Sequence, residues 1–360
     1  FVRDGEPAQI EPQVFDTLHL FARRPGELIS REDLVDSVWN GRIVSDATIG
    51  SRINAARMAV GDTGKRQGVI RTVPRRGFTL VADVSTDAEV RAAQPADRQV
   101  VRFTSAADGT KLAYATSGSG PPLLRAGHFL THLEKDWQGS VYHPTTQALS
   151  GEHSLVRYDQ RGTGLSQADV EDLSIEACSD DMLAVADAAG LARFPIFATS
   201  QGVPISIHFA TTHPERVSRL VLFGGFAQGR RKRQHDQSGE EADALLTLLR
   251  MGWGKPGSAF ATAFISMFCP GASREERTSI AESQNASATP EMAERVRLAI
   301  DQFDVTDRLK CIRSPTLVLH ASGDAIHPVS QGRILAANIP GAEFKLIDSE
   351  NHIILKSSPA

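Results

Sequence analysis

The sequence predicts a multidomain chain, with a small α+β domain over residues 1–84 and a larger α/β domain over residues 99–360. The length of 360 residues exceeds that of one ordinary domain. Helical patterns followed by two β-rich runs occupy the first part, whereas short apolar strand patterns alternate with helical patterns from Val100 onward. Such alternation is typical of a mostly parallel sheet covered by helices. The small, polar residues 85–98 predict a linker.

The composition is that of an ordinary globular protein, with 41% hydrophobic and 23% charged residues. No stretch approaches the roughly 20 apolar residues that span a bilayer, so we expect no membrane association and a cytoplasmic location. The chain opens on Phe1 rather than Met, and we expect it to lack its true start, which leaves a targeting segment open. Three cysteines without metal-ligand spacing, Cys178, Cys269 and Cys311, indicate reduced thiols. We predict neither a metal site nor a cofactor.

The first domain contains patterns for three helices and a hairpin. Apolar residues at helical spacing predict the first helix over residues 12–23. The run Ser30-Arg-Glu-Asp33 resembles a capping box that starts the second helix. Either Ser45 or Asp46 can cap the third. Two β-rich runs around a turn predict a hairpin over residues 69–81.

Positive charge is concentrated on the third helix and the hairpin. Residues 42–76 carry eight Lys/Arg against two acidic residues, in a chain whose net charge is −4. A helix of this kind fits the major groove of DNA, where Arg can contact base edges or phosphates, and both remain open here. A solvated helix face is the alternative, but the order of elements together with the charge favours DNA binding. The predicted contacts are Thr48, Ser51, Arg52 and Arg57 on the helix, and Arg75 and Arg76 on the hairpin.

Four segments of this domain resemble the effector domain of OmpR/PhoB-type regulators. They are Pro-Gly-Glu-Leu-Ile-Ser-Arg-Glu-Asp-Leu at 25–34, Val38-Trp39, Val-Ser-Asp-Ala-Thr-Ile at 44–49, and Val-Ile-Arg-Thr-Val-Pro-Arg-Arg-Gly-Phe at 69–78. The resemblance implies a winged helix-turn-helix that binds promoter DNA. It also implies a homodimer, because dimers read paired half-sites. The family opens with a small β-sheet, of which only the end fits before residue 10.

The second domain carries seven strand patterns and one long insertion. Residues 228–305 contain helical patterns and no strand pattern, so we expect a helical cap there. We interpret the basic run at 230–233 as a solvated loop. The predicted strands are 112–115, 122–125, 154–158, 195–198, 219–223, 316–320 and 344–347.

A serine follows one of these strands on a turn between small residues. The strand ends in Ala198-Thr-Ser-Gln-Gly202, and a helical run begins at Val203. Strand, sharp turn with serine, and helix make up a nucleophile elbow, although Ala198 stands where glycine is usual. Such a serine needs a base and an acid that orients the base.

Asp324 and His352 are the predicted partners of Ser200. Each follows a strand, and the chain order is serine, acid, histidine. Both lie past carboxyl ends of strands, where open α/β sheets bind their ligands. Each residue alone has a structural explanation, but order and context together favour a catalytic triad.

With the run Tyr158-Asp-Gln-Arg-Gly-Thr-Gly-Leu-Ser166, these motifs resemble an α/β-hydrolase fold with a helical cap. The resemblance implies an oxyanion hole formed by the backbone N–H of Gln201 and by a second N–H in the loop Ala126-Gly-His-Phe129, which we place at Phe129. The loop departs from the His-Gly order of the family. For the residues that we expect to line a ligand pocket, packing is an equal alternative; they are His128, His132 and Trp137.

Three functional hypotheses follow. The first is a transcription regulator whose hydrolase-fold domain binds, and in one variant cleaves, a small apolar ester or lactone signal. The second is an active serine esterase or lactonase with an appended DNA-binding domain. The third is a receptor that reacts once and stays acylated on Ser200. Turnover that depends on Ser200 distinguishes them.

Overall fold

A computed structural model of the chain describes residues 2–3, 6–7, 10–42, 44–82, 84, 98–233, 238–255 and 257–355. Contacts divide the chain into two units, residues 1–89 and residues 90–360. The predicted linker at 85–98 lies outside the described residues except for Arg98. No helix in the described part of the chain is both long and apolar enough to cross a membrane.

The described part of the first unit contains three helices, a three-stranded sheet and an antiparallel pair of short strands at its start. The Ser30–Asp33 capping box is present, with Asp33 N–H donating to Ser30 Oγ at 3.0 Å and Ser30 N–H donating to Asp33 Oδ2 at 2.8 Å. Ser45 rather than Asp46 caps the third helix. The elements are β1 (Val2–Arg3), β2 (Glu6–Pro7), α1 (Pro12–Arg23), β3 (Leu28–Ile29), α2 (Arg31–Trp39), α3 (Asp46–Ala59), β4 (Ile70–Val73) and β5 (Gly77–Leu80).

The predicted hairpin pairs β4 with β5, and β3 adds a short antiparallel strand on the other side of β5. The core beneath this sheet is apolar and closed, since Phe21, Leu34 and Ile70 have no exposed surface. This is the winged helix-turn-helix order of elements, with α3 followed by the hairpin.

An eight-stranded sheet forms the centre of the second unit. Its order is β13-β12-β11-β10-β8-β9-β7-β6, and the six strands from β13 to β9 run parallel. The predicted strands are all present, but β6 is an additional one. The strands are β6 (Gln99–Ser105), β7 (Lys111–Ser117), β8 (Pro122–Ala126), β9 (Ser154–Tyr158), β10 (Phe194–Thr199), β11 (Val217–Phe223), β12 (Thr316–Ala321) and β13 (Glu343–Ile347).

Helices cover the sheet, and the described part of the insertion at 228–305 is helical as predicted. The sheet helices are α4 (Leu133–Gln138), α5 (Tyr142–Glu152), α6 (Ile175–Ala188), α7 (Gly202–Thr212) and α12 (Val329–Asn338). The cap helices are α8 (Ser238–Gly252), α9 (Ala259–Phe268), α10 (Arg274–Ser287) and α11 (Pro290–Ile300).

Backbone hydrogen bonds join the two ends of the cap at its base. Gln228 and Asp304 form an antiparallel bridge, and Gly229 N–H donates to Phe303 O at 2.7 Å. The interpretation of residues 230–233 as a solvated loop is wrong for Arg230 and Arg233, which are 3% and 8% exposed. Arg233 Nε donates to Gln228 O at the base at 3.0 Å, and the Arg230 guanidinium donates to Ile326 O in the loop after β12, so both side chains are part of the packing.

Candidate functional site

The turn after β10 holds Ser200 in a constrained backbone conformation. Its φ of 53° lies in the left-handed region, which a non-glycine residue adopts only when its surroundings impose it. Ser200 N–H donates to Phe223 O at 3.0 Å, which fixes the turn against β11. A Cβ at Gly202 would lie 2.7 Å from Gly127 O, so only glycine allows this approach of helix and loop. The fully buried Ala198 fits within the strand.

Ser200, His352 and Asp324 meet at the carboxyl edge of the sheet. His352 Nε2 lies 2.9 Å from Ser200 Oγ, and His352 Nδ1 lies 2.7 Å from Asp324 Oδ2. All three side chains are more than nine-tenths buried. The structure therefore brings the three residues together in the connectivity of a nucleophile, a base and an orienting acid.

Asp324 is held as a carboxylate. Burial alone would raise the pKa of Asp324. The neighbouring His352 and the backbone N–H of His327 lower it by more, so the pKa lies below the ordinary value. Asp324 Oδ1 accepts hydrogen bonds from Ile326 N–H at 2.8 Å and His327 N–H at 3.0 Å. One carboxylate oxygen is thus fixed by the backbone, and the other is aimed at the imidazole.

Glycine 224 and the cap shape the space around His352. Gly224 has φ 57°, and a Cβ there would lie 3.3 Å from the imidazole. His352 N–H donates to Phe268 O at 2.7 Å, and the two rings pack edge to face at 5.8 Å. Because Phe268 ends α9, the cap contacts the histidine directly. The sequence carries no local signal for this contact.

Two backbone N–H groups were predicted as oxyanion donors. Neither Gln201 N–H nor Phe129 N–H donates a hydrogen bond to another described residue. Gln201 follows Ser200 at the start of α7, and Phe129 lies in the loop after β8 that packs against Gly202. An oxyanion hole requires two donors, and these two N–H groups are available for that predicted role.

A small cleft borders Ser200 and His352, and His128 is one of the residues that line it. The pocket prediction is wrong for His132 and Trp137, which are not among its lining residues. The His132 ring instead caps α4, where it accepts from Lys135 N–H at 3.4 Å. Trp137 packs against His143 and Arg157. The other lining residues are Arg125, Tyr142, Thr145, Thr199, Phe223, Ile353 and Ile354.

Helix α3 of the first unit presents only part of its predicted DNA-contacting set. Ser51 is exposed, whereas Thr48 and Arg52 are partly buried. The Thr48 hydroxyl lies 2.9 Å from Ser45 Oγ at the helix start, and Arg52 pairs with Glu11. The part of the Arg52 guanidinium that pairs with Glu11 must therefore leave this carboxylate before it can bind DNA.

The prediction that Arg57 lies on the exposed face of α3 is wrong. Its side chain is 4% exposed. Nε donates to Ile70 O at 2.9 Å, and Nη2 donates to Thr72 Oγ1 at 2.9 Å. Arg57 therefore fixes β4 to α3, and its charge is directed inward because the helix turn carrying it faces the sheet.

The hairpin and one neglected residue of α3 offer accessible groups. Arg75 and Arg76 are exposed at the tip between β4 and β5, where Arg75 has φ 60°. Asn54 is exposed on α3 and lies one turn after Ser51. An asparagine amide suits adenine in the major groove, and its helical spacing from Ser51 was a signal that could have identified it.

Comparison with known families agrees with both units. Residues 5–80 match the family model described as transcriptional regulatory protein, C terminal, and residues 135–359 match the one described as alpha/beta hydrolase fold. The protein thus joins a DNA-binding regulator domain of the OmpR/PhoB type to a hydrolase domain, as the sequence predicted. Since the second match spans more than half of the chain, the chain belongs to the alpha/beta hydrolase fold family.

Several relatives of the second unit are named hydrolases. A putative carbamate hydrolase RutD of Rhizobium rhizogenes is 29% identical over 223 residues, which cover 60% of this chain and 82% of the relative. Pyrrolizixenacetamide deacetylase of Xenorhabdus hominickii is 27% identical, covering 65% and 85%. The enol-lactonase of Burkholderia xenovorans has a TM-score of 0.58 at 24% identity, covering 70% of this chain and 93% of that one, and this likeness concerns the fold alone.

Proposed function

We propose that this protein is a homodimeric transcription regulator whose hydrolase domain binds and cleaves a small, largely apolar ester or lactone signal. The observation that carries the proposal is the chain of two short contacts from Asp324 through His352 to Ser200, at 2.7 and 2.9 Å. It stands in the same polypeptide as a DNA-binding domain. Relatives named carbamate hydrolase and deacetylase support acyl transfer chemistry of this class.

The proposed reaction uses the three residues in sequence. Ser200 Oγ attacks the carbonyl carbon of the ester, and its proton passes to His352 Nε2. The N–H groups of Gln201 and Phe129 stabilise the oxyanion, while Asp324 stabilises the imidazolium. Collapse breaks the carbon–oxygen bond, and the leaving alcohol takes the proton from His352. Water then attacks the acyl-enzyme in the same way and releases the carboxylic acid.

Hydrolysis of p-nitrophenyl acetate tests the proposed chemistry. We expect Ser200→Ala to abolish the release of nitrophenolate. Ser206→Ala is a matched control, because Ser206 is fully buried on α7, the helix that follows Ser200, and its hydroxyl has no hydrogen-bond partner among the described residues. Equal loss in both variants, or no Ser200-dependent release by the parent protein, would contradict the proposal.

DNA binding is tested by the salt dependence of retention of the DNA upstream of the protein's own gene. Removing one side chain that binds a phosphate lowers the slope of log affinity against log salt by about 1. We expect this reduction for Arg75→Ala and for Arg76→Ala. Arg23→Ala, at the end of α1 and outside α3 and the hairpin, is the control. Unchanged slopes for both hairpin variants would remove the hairpin from the proposed interface.

An enzyme with an appended DNA-binding domain is the second candidate, favoured by the fully assembled Ser200–His352–Asp324 geometry. Gel retardation in the presence and absence of p-nitrophenyl acetate distinguishes it. Retention that changes with ester for the parent protein supports regulation. Turnover with unchanged retention supports the enzyme. A persistent acetyl mass on Ser200 supports a receptor that reacts once.

A further inference from the structure

A buried hydrogen-bonded path leads from the cap to the loop after β8. Ser283 Oγ on α10 donates to Asp136 Oδ1 at 2.6 Å. Asp136 Oδ2 lies 3.3 Å from His128 Nε2, and His128 Nδ1 lies 3.0 Å from Phe129 O. Phe129 is the residue whose N–H is the proposed second oxyanion donor. The path therefore ends on the residue whose orientation matters for the reaction.

The charges along the path keep Asp136 ionised. Burial raises the pKa of its carboxyl, but His128, Ser283 and Arg157 outweigh burial and leave the pKa below the ordinary value. Asp136 is 4% exposed. A buried carboxylate is costly unless it is paired and hydrogen-bonded, and here its partners lie on the loop and on the cap. Asp136 is therefore a buried, paired carboxylate rather than a solvated surface charge.

The His128 ring is fixed on every side. Its Nδ1 faces a carbonyl oxygen, its Nε2 faces a carboxylate, and its plane stacks on Tyr142 with a centroid distance of 3.9 Å and an interplanar angle of 8°. Both nitrogens thus face acceptors, and the ring donates to both at once only when both nitrogens carry a proton. A ring held in this way cannot rotate without breaking its interactions with Phe129 or with Asp136.

A second contact between α10 and the loop is weaker. The Ser287 hydroxyl lies 3.0 Å from Leu130 O but only 2.6 Å from Ser283 O. Its single proton cannot serve both acceptors at once. The path through Ser283 is therefore the main hydrogen-bonded connection, and it adds to the direct contacts of the Phe129 ring with Phe264 and Arg297 of the cap.

We infer that Asp136 and Ser283 are positioning residues that, through His128, fix the carbonyl group of Phe129 and with it the backbone of the residue whose N–H is the proposed second oxyanion donor. The inference rests on the proposed function, since it assumes that Ser200 reacts. It has a consequence for the signal. A ligand that shifts α10 alters the reactivity of Ser200 without touching it, because Ser283 belongs to the cap and Phe129 to the catalytic loop.

The test measures the reaction of Ser200 with a fluorophosphonate probe in the full chain. Ser200 Oγ attacks phosphorus, fluoride leaves, and the serine proton passes to His352; the phosphoryl oxygen takes the place of the oxyanion. Intact mass against time gives two quantities. The final labelled fraction counts folded sites, and the rate constant reports their reactivity, so a loss of folded protein lowers the first without changing the second.

Ser283→Ala removes the hydrogen bond to the carboxylate, and Ser279→Ala is the matched control. Ser279 lies one turn earlier on α10, and its Oγ accepts from Ser140 N–H at 3.1 Å instead of contacting Asp136. We expect the rate constant to fall roughly tenfold in Ser283→Ala, as for the loss of a hydrogen bond to a charged group. Ser279→Ala should retain the parent rate constant.

Asp136→Asn provides a second variant, for which we expect a loss of about 10²-fold, the effect of a misplaced catalytic group. A parent protein that is labelled, with the same rate constant in Ser283→Ala and in Asp136→Asn, overturns the inference and leaves the proposed function standing. A parent protein without label on Ser200 overturns both. If only the final labelled fraction falls in the two variants, their role is structural and the inference is wrong.

Discussion

Replacing Arg57 by alanine should destabilise the first unit rather than weaken DNA binding directly. The substitution deletes the donors to Ile70 O and Thr72 Oγ1, each at 2.9 Å. Hydrogen bonds to charged groups contribute about 1.5–3 kcal/mol each. Burial lowers the pKa of Arg57, so part of this gain already offsets desolvation of the guanidinium. A net loss of about 2–3 kcal/mol remains, which is roughly 10–20 °C in Tm for a domain of this size.

Thermal unfolding of the full chain measures the loss of stability. Hydrogen exchange of the amides of residues 70–73 then shows whether the loss is located at β4. Arg71→Ala is the matched control, since Arg71 lies on the same strand with an exposed side chain. It should change stability by less than about 0.5 kcal/mol. Normal protection of residues 70–73 in Arg57→Ala, together with an absence of DNA retention at low temperature, would refute the reasoning and return Arg57 to the interface.

Three further predictions concern the second unit. Asp324→Asn should lower kcat for p-nitrophenyl acetate by about 10⁴-fold, because an amide at this position favours the wrong imidazole tautomer; a loss below tenfold would contradict the assigned role. Gly224→Ala should lower kcat and Tm together, since its Cβ would lie 3.3 Å from the His352 ring at φ 57°; parent-like values of both would show that the ring yields. Burial raises the pKa of Asp159 to about 7. The stability from its neutral form is therefore present below about pH 4, where the unfolded carboxyl is also protonated, and is lost as the pH rises towards 7. Asp159→Asn should reduce the difference in Tm between pH 5 and pH 8, and an unchanged difference in thermal melts would argue against a proton on Asp159.

Local patterns predicted most of the second unit because its strands are short apolar runs and its serine turn has a local signature. Asp324 and His352 could be predicted as partners of Ser200 because chain order and strand ends constrain them. β6 was missed, since it lies at the sheet edge and has polar Arg102 and Thr104 where a buried strand would carry apolar side chains. Runs of apolar residues indicate buried strands, and β6 escaped prediction because it is only partly buried.

Side-chain contacts between residues that are distant in sequence could not be predicted. Arg57 bonds to residues 13 and 15 positions away, so its helical position alone could not show that it faces inward. Asp136 depends on Ser283, 147 positions later on α10. Neither periodicity nor charge counting contains such information.

The backbone hydrogen bonds that join the two ends of the cap affect how the ligand preference of such a protein can change in evolution. Gln228 and Asp304 form a backbone bridge, and Val305 N–H donates to Ala227 O at 2.9 Å. The two ends of the insertion therefore lie side by side where it leaves and rejoins the rest of the domain. The entropic cost of closing such a segment grows slowly, by about 0.6 kcal/mol for each doubling of its length. The segment between these ends can therefore be exchanged as a cassette. Ligand preference can then change by recombination at this base, provided that the new segment keeps the contacts of Phe268 with His352 and of Ser283 with Asp136.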